Sequence, residues 1–410
     1  MSISRRASVH GALPMIHGLS LMIFLAAATA PTPLYRLYQQ GWHFSTPWLT
    51  GVFAIYACTL VMALLLGARL SDHLGRRRVI SSAIVLNMLA MGLFMRADSV
   101  GWLLWARALQ GAATGLATAT LGAAMLDLDR QRGAVINSVA PMLGMSIGAL
   151  GSTAMLVYVP APLQRVYLVM VVSLLLALGL TWLTPETASR RAGAWSSLRP
   201  RLGIPVRIRR AFLAVAPVNI AVWMVGGFYL SLMPSLVVQI MHARSPWLGG
   251  GVVALLTLTG AVAILLALRQ PALKVLLGGA AMLLAGTALI RHGADQASAA
   301  GLLSGSLLAG LGFGSAFLGT VRSVLPHVEI HERGQVMGVF YLESYLAFSV
   351  PALALGFMVQ WLGMLPAVHL YTDLIMALLA LAMLWMLGCR RHLHLPAEAD
   401  RSASLPSRPG

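Results

Sequence analysis

Charge is scarce in this chain. Only 10% of its 410 residues are Asp, Glu, Lys or Arg, against about 25% in soluble globular proteins. Hydrophobic residues make up 58%, and mean hydropathy is +0.80. That balance excludes a water-soluble domain. Acids are scarcer still, 12 against 29 basic residues, and Lys274 is the only lysine. Of the two cysteines, Cys58 lies inside an apolar run and Cys389 at the end of the last one, so there is no disulfide framework. Also missing are a clustered nucleophile, a metal-ligand set and any extramembrane stretch long enough for a catalytic or sensory domain. Those absences argue against an enzyme, and no cofactor or metal is called for. His327-Val328-Glu329-Ile330-His331 is not an exception: a zinc protease places Glu directly after the first His, and a solvated loop explains these residues.

What the chain has is apolar runs, bounded by charge or by Pro/Gly clusters. They predict spans at 13–35, 47–69, 79–96, 100–126, 134–158, 164–184, 211–240, 247–268, 272–290, 299–323, 335–360 and 367–388. A span needs about 20 apolar residues, so this is an all-α polytopic membrane protein. The expected organisation is an N-terminus 1–12, a six-helix bundle 13–184, a basic linker 185–210, a second bundle 211–389 and a disordered polar tail 390–410. Arg5-Arg6 followed by Ala26-Ala27-Ala28-Thr29-Ala30 imitates a signal peptide, but Pro31, Pro33 and a short loop lead straight into another span, favouring a retained first helix.

The net charge of +17 invites a nucleic-acid reading. Its placement gives a simpler one. With loops assigned by alternation, only Arg36, Arg96, Arg165, Arg244 and Arg291 fall outside, Arg107 lies within a span, and every other basic residue is cytoplasmic. This is the positive-inside bias of an inner-membrane protein with both termini in the cytoplasm, and it leaves no need for nucleic acid. The halves also repeat. Arg132-Gly133 opens span 5 as Arg333-Gly334 opens span 11, and Gln110-Gly111 with Gly115 parallels Ala309-Gly310 with Gly314. Duplicated halves around an interface site are a transporter architecture.

The most specific stretch is Ala68-Arg69-Leu70-Ser71-Asp72-His73-Leu74-Gly75-Arg76-Arg77-Arg78, between spans 2 and 3. Gly75 permits a tight turn between helix ends, Asp72 can meet a helix N-terminus, and the arginines can hold acids; Asp127 and Asp129 at the end of span 4 are natural partners. The stretch resembles the loop motif of the major facilitator superfamily (MFS), with Leu70, Asp72, Gly75, Arg76 and Arg77 matching, Ala68 in place of Gly and His73 at the basic position. Pro31-Thr32-Pro33-Leu34-Tyr35 and the Ser71-Asp72 variant are similar to its bacterial efflux-type permeases. The resemblance implies two pseudo-symmetric six-helix bundles, alternating-access transport of a small molecule, a monomer, and a conformational latch at Asp72, Gly75, Arg76, Arg77 and Asp127. Leu268-Arg269-Gln270-Pro271 is an eroded second copy.

Further residues carry possible chemistry. Arg107, about 10 Å into span 4, resembles the family's helix-4 arginine before Gln-Gly; it faces the interior as a proton or substrate relay, or snorkels to the surface. Glu343, about 12 Å into span 11 and between Tyr341 and Tyr345, is either a proton carrier or a structural hydrogen-bonding group linking helices across the two halves. Pro141, Gly144, Gly148 and Gly151 in span 5 resemble the glycine-rich element of drug–proton antiporters, yet small residues also serve close packing. His369 and Asp373, a turn apart, read as an interfacial pair. By resemblance the cavity is lined by spans 1, 4, 7 and 10, which nominates Gln110, Asn219, Trp223 and Tyr229 for substrate contact. The function expected is proton-coupled export, with an uptake symporter or uniporter as the alternative.

Overall fold

The computed structural model describes residues 2–189, 202–241, 245–329 and 331–388, without the side chains of 2–12, 68, 69, 240 and 241. Residues 190–201 of the expected linker, Cys389 and the tail 390–410 lie outside the described residues. All regular structure described is helical. Span 1 comprises Ser2–Thr29, a 3-10 turn Thr32–Leu34 and Tyr35–Trp42; spans 2 to 6 are Thr46–Leu74, Arg76–Arg96, Val100–Leu128, Arg130–Tyr158 and Pro162–Leu183. Span 7 comprises Val206–Ser231 and Met233–Met241; spans 8 to 12 are Pro246–Ala267, Ala272–Asp295, Ala299–Val324, Arg333–Leu362 and Met364–Gly388. Eleven of the spans are long and apolar enough to cross a membrane, and Val100–Leu128, diluted by Arg107, Gln110 and its threonines, completes twelve.

The helices run past the apolar runs. Span 1 is helical from Ser2 and resumes to Trp42, and span 7 starts at Val206 rather than 211. A 29-residue helix such as Thr46–Leu74 is about 44 Å long at 1.5 Å per residue, beyond the ~30 Å hydrocarbon core. Polar helix ends therefore continue outside it, where apolar periodicity gives no sign. Within the core a helix satisfies its own backbone. Spans 2, 6 and 8 begin with proline in the first turn, where its missing N–H costs nothing. Asp129 caps span 5 through Gln131 N and Arg132 N, and Ser298 caps span 10 through Gly301 N.

The repeat extends to packing. In the first half span 4 lies against spans 2 and 3, span 1 against 5, and span 3 against 6; in the second, span 10 lies against 8 and 9, span 7 against 11, and span 9 against 12. The repeated glycines explain why. A Cβ on Gly111 or Gly115 would stand 2.3 or 2.2 Å from the carbonyl oxygens of Tyr56 and Leu60 in span 2. On Gly310 or Gly314 it would stand 2.5 or 2.1 Å from those of Leu256 and Gly260 in span 8. Each central helix is thus drawn backbone-to-backbone onto its partner. The halves meet where span 5 packs on span 8 and span 2 on span 11, two contacts that the duplication interchanges.

Candidate functional site

The turn between spans 2 and 3 builds an ion cluster at one end of the bundle. Gly75 adopts φ +96°, a conformation open to glycine, and lets the helices follow without a loop. Arg76 is 9% exposed. Its Nη1 meets Asp72 Oδ1 at 2.6 Å and Ser71 Oγ at 2.5 Å, and its Nε meets Asp127 Oδ2 at 3.2 Å. Arg77 donates to the Thr184 carbonyl and covers the Trp182 ring at 5.2 Å. All five expected latch residues therefore meet here. Asp129 does not join them, because it caps span 5.

Sequence reasoning missed Glu186. Its carboxylate accepts from the backbone N–H of Arg76 (2.8 Å) and of Arg77 (3.1 Å), closing the N-terminus of span 3. That is the helix-end role assigned above to Asp72. A weak signal was available: in a chain with 12 acids, one placed just after Pro185 among arginines is worth locating.

Deeper in, span 1 breaks at Pro31. Proline has no N–H for the carbonyl four residues back, so Ala27 loses its helical donor. Gln110 Nε2 replaces it at 2.9 Å, and Arg107 Nη1 donates to the Ala28 carbonyl at 2.8 Å and to Gln110 Oε1 at 2.5 Å. Arg107 Nε donates to the Tyr35 hydroxyl. The guanidinium carbon sits 5.0–5.9 Å from the ring centres of Tyr56, Phe53, Tyr35 and Phe94, within cation–π range. Arg107 is 1% exposed, so it does not snorkel.

Arg107 also lines a cavity between the halves. Leu25, Ala28, Thr29, Phe53, Tyr56 and Met145 face Leu230 and Phe348 across it. Its volume is about 30 Å³, room for a water or two, so the halves are closed around it. A larger hollow of about 710 Å³ beside Trp102 and Trp105 is apolar and opens on the outer face of the first half, where lipid would lie.

None of Gln110, Asn219, Trp223 and Tyr229 lines the closed cavity. Tyr229 is fully buried and donates to Ser306 Oγ of span 10 at 2.7 Å. Asn219 donates to Ser344 Oγ at 2.9 Å. Trp223 packs on Tyr345 (4.9 Å between centres) and on the cavity residue Phe348 (6.2 Å), while its Nε1 has no partner among the described residues. Glu343 stands beside Asn219 of its own half, which is its side-chain hydrogen-bonding neighbour, rather than bridging the halves; beyond Asn219 neither carboxyl oxygen has a partner among the described residues.

Elsewhere the polar groups hold helices together. His369 and Asp373 do not pair with each other: His369 Nε2 meets Asp295 at 2.5 Å, and Asp373 meets Arg291 at 3.1 Å, so both tie span 12 to span 9. Glu329 pairs with Arg207 at 3.1 Å and with His331 at 3.4 Å. In span 5, Gly144 and Gly148 press on the carbonyls of Met22 and Ala26 in span 1, whereas Gly151 faces open space. Ser146 Oγ meets Thr257 Oγ1 of span 8 at 2.7 Å across the halves.

The family model of the Major Facilitator Superfamily matches residues 15–350. No curated protein matches the chain significantly. Among solved structures, it is similar to a variant of the nucleoside transporter NupG, with 10% identity and a TM-score of 0.70 over 90% of this chain and 99% of that one. It is also similar to the human organic anion transporter MFSD10 (TETRAN), with 19% identity and a TM-score of 0.65 over 91% and 99%.

Proposed function

Because the chain belongs to the major facilitator superfamily, a family of membrane transporters rather than enzymes, we propose that it exports a small molecule across the bacterial inner membrane by proton-coupled alternating access. The halves rock about the central cavity, with the Arg76 end and both termini in the cytoplasm, where the charge bias puts them. It works as a monomer. The basic turn is the latch: Asp72, Arg76 and Asp127 hold spans 2, 3 and 4 together at that end, and Gly75, Arg77 and Glu186 shape the junction.

Glu343 carries the coupling reading. Inside a membrane span, with only Asn219 beside it and no cation paired with it among the described residues, this carboxyl is a natural place for a proton to bind and leave. Had both oxygens been satisfied by the protein, a structural role would suffice. Arg107, held by the Tyr35 hydroxyl, the Ala28 carbonyl and Gln110, contributes to coupling as a fixed positive field.

The test uses inverted membrane vesicles with an acid interior, a panel of compounds and a pH-sensitive dye, with Glu343→Gln alongside. Dissipation of the gradient by a compound with the parent protein, and its loss in a normally inserted Glu343→Gln, is the expected result. A mutant that behaves like the parent returns Glu343 to a structural role, and a panel that moves no protons makes uptake or uncoupled transport the better account.

A further inference from the structure

We infer that the cavity takes a small organic acid, a carboxylate on an aromatic or apolar body, and that Arg107 Nη2 is the group that receives the carboxylate. The inference rests on the transport reading and names the cargo class of the same cavity.

Arg107 is a buried cation without a counterion. Among the described residues no carboxylate pairs with it. Its Nε and Nη1 are used on neutral acceptors, a hydroxyl, a carbonyl and an amide oxygen, while Nη2 has no hydrogen-bond partner among the described residues. An orphaned donor on a charged group is costly inside a membrane protein. Four ring faces offset part of that cost, but rings offer no lone pair in the guanidinium plane.

A helix clamp alone does not require this residue. The Ala27 and Ala28 carbonyls could be served by neutral donors, as Gln110 already serves one of them. The permanent charge and the free fork edge are left over, and they suit a planar oxyanion. The remaining wall favours an apolar body: of the other lining residues only Thr29 and Tyr56 are polar. Arg107 belongs to the first half while Leu230 and Phe348 belong to the second, so parting the halves bares the guanidinium to an incoming cargo. Glu343 is not among the lining residues, which leaves proton and acid in separate places.

The test is binding, and needs neither a gradient nor turnover. Purified protein is titrated with benzoate and with its neutral isostere benzamide, read by calorimetry. The parent is expected to prefer benzoate by roughly tenfold or more, the worth of one charged hydrogen-bonded contact. Arg107→Gln should abolish the preference, and Arg291→Gln, which removes a peripheral arginine, should keep it. If Arg107→Gln does not fold, Arg107→Lys keeps the charge but loses the fork, and should weaken benzoate several-fold with benzamide unchanged. Equal binding of the two probes by the parent, no saturable binding of either, or a preference that survives at residue 107 overturns the inference. Failure of proton coupling in the vesicles would leave it standing, and its failure would leave coupling standing.

Discussion

Replacing Gln110 by methionine, close to it in shape, removes the donor to Ala27 and the acceptor for Arg107. A buried acceptor left without a donor costs about 1–3 kcal/mol, while cross-helix hydrogen bonds in membrane proteins average only ~0.6 and reach ~1.7 kcal/mol. Two such bonds, one charge-assisted, place the expected loss at about 1.5–3 kcal/mol. The sharper test adds Pro31→Ala. Residue 31 then regains an N–H that can return to the Ala27 carbonyl in ordinary helical fashion, and Gln110 is no longer needed there. In that background Gln110→Met should cost about 1 kcal/mol less, leaving only its bond to Arg107. The assay is reversible unfolding of the four proteins in mixed micelles, from dodecylmaltoside toward dodecyl sulfate, followed by tryptophan fluorescence. Additivity of the two substitutions within ~0.3 kcal/mol would refute the account of the broken helix.

Other substitutions separate packing from chemistry. Gly314→Ala places a methyl 2.1 Å from the Gly260 carbonyl oxygen, whereas Gly151→Ala meets open space; the first should lower the yield of folded protein by size exclusion and the second leave it unchanged. Asp127→Asn frees Arg76 from one of its two partly exposed acids, and at ~0.2–1 kcal/mol for such a pair the transport rate should change about 1.4- to 5-fold, less at high salt; a salt-independent effect would contradict an ionic latch. Ser146→Ala removes the 2.7 Å contact across the halves and should cost ~0.6 kcal/mol, seen as faster exchange between conformations by spin-label distances.

The twelve spans and their grouping were legible because about 20 consecutive apolar residues are a strong signal, and the 111/115 and 310/314 glycines proved to mark the same backbone contact in each half. The ion cluster at the basic turn was legible because Asp72, Gly75 and Arg76 are close in sequence and polar amid apolar surroundings. Helix rotation was not. When apolar residues surround a helix, no stripe says which side faces the protein, so nothing in the pattern told that Tyr229 turns to Ser306 or that His369 and Asp373 reach span 9. Glu186 escaped for another reason: its partners are backbone N–H groups, which every residue carries. The clamp on Ala27 was in principle readable, since Pro31 announces an orphaned carbonyl, but its donor lies 83 residues away.

That separation has a consequence in time. Span 1 leaves the ribosome with two carbonyls whose donors belong to Arg107 and Gln110, 79 and 83 residues later in the chain. At about 5–20 residues per second, those donors are synthesised roughly 4–16 s afterwards. Until span 4 has entered the bilayer, the break at Pro31 must be served by water, lipid headgroups or the insertion machinery. A ribosome stalled between the two should therefore hold a first span whose Ala27 region is open to solvent-borne probes, and release of the stall should close it.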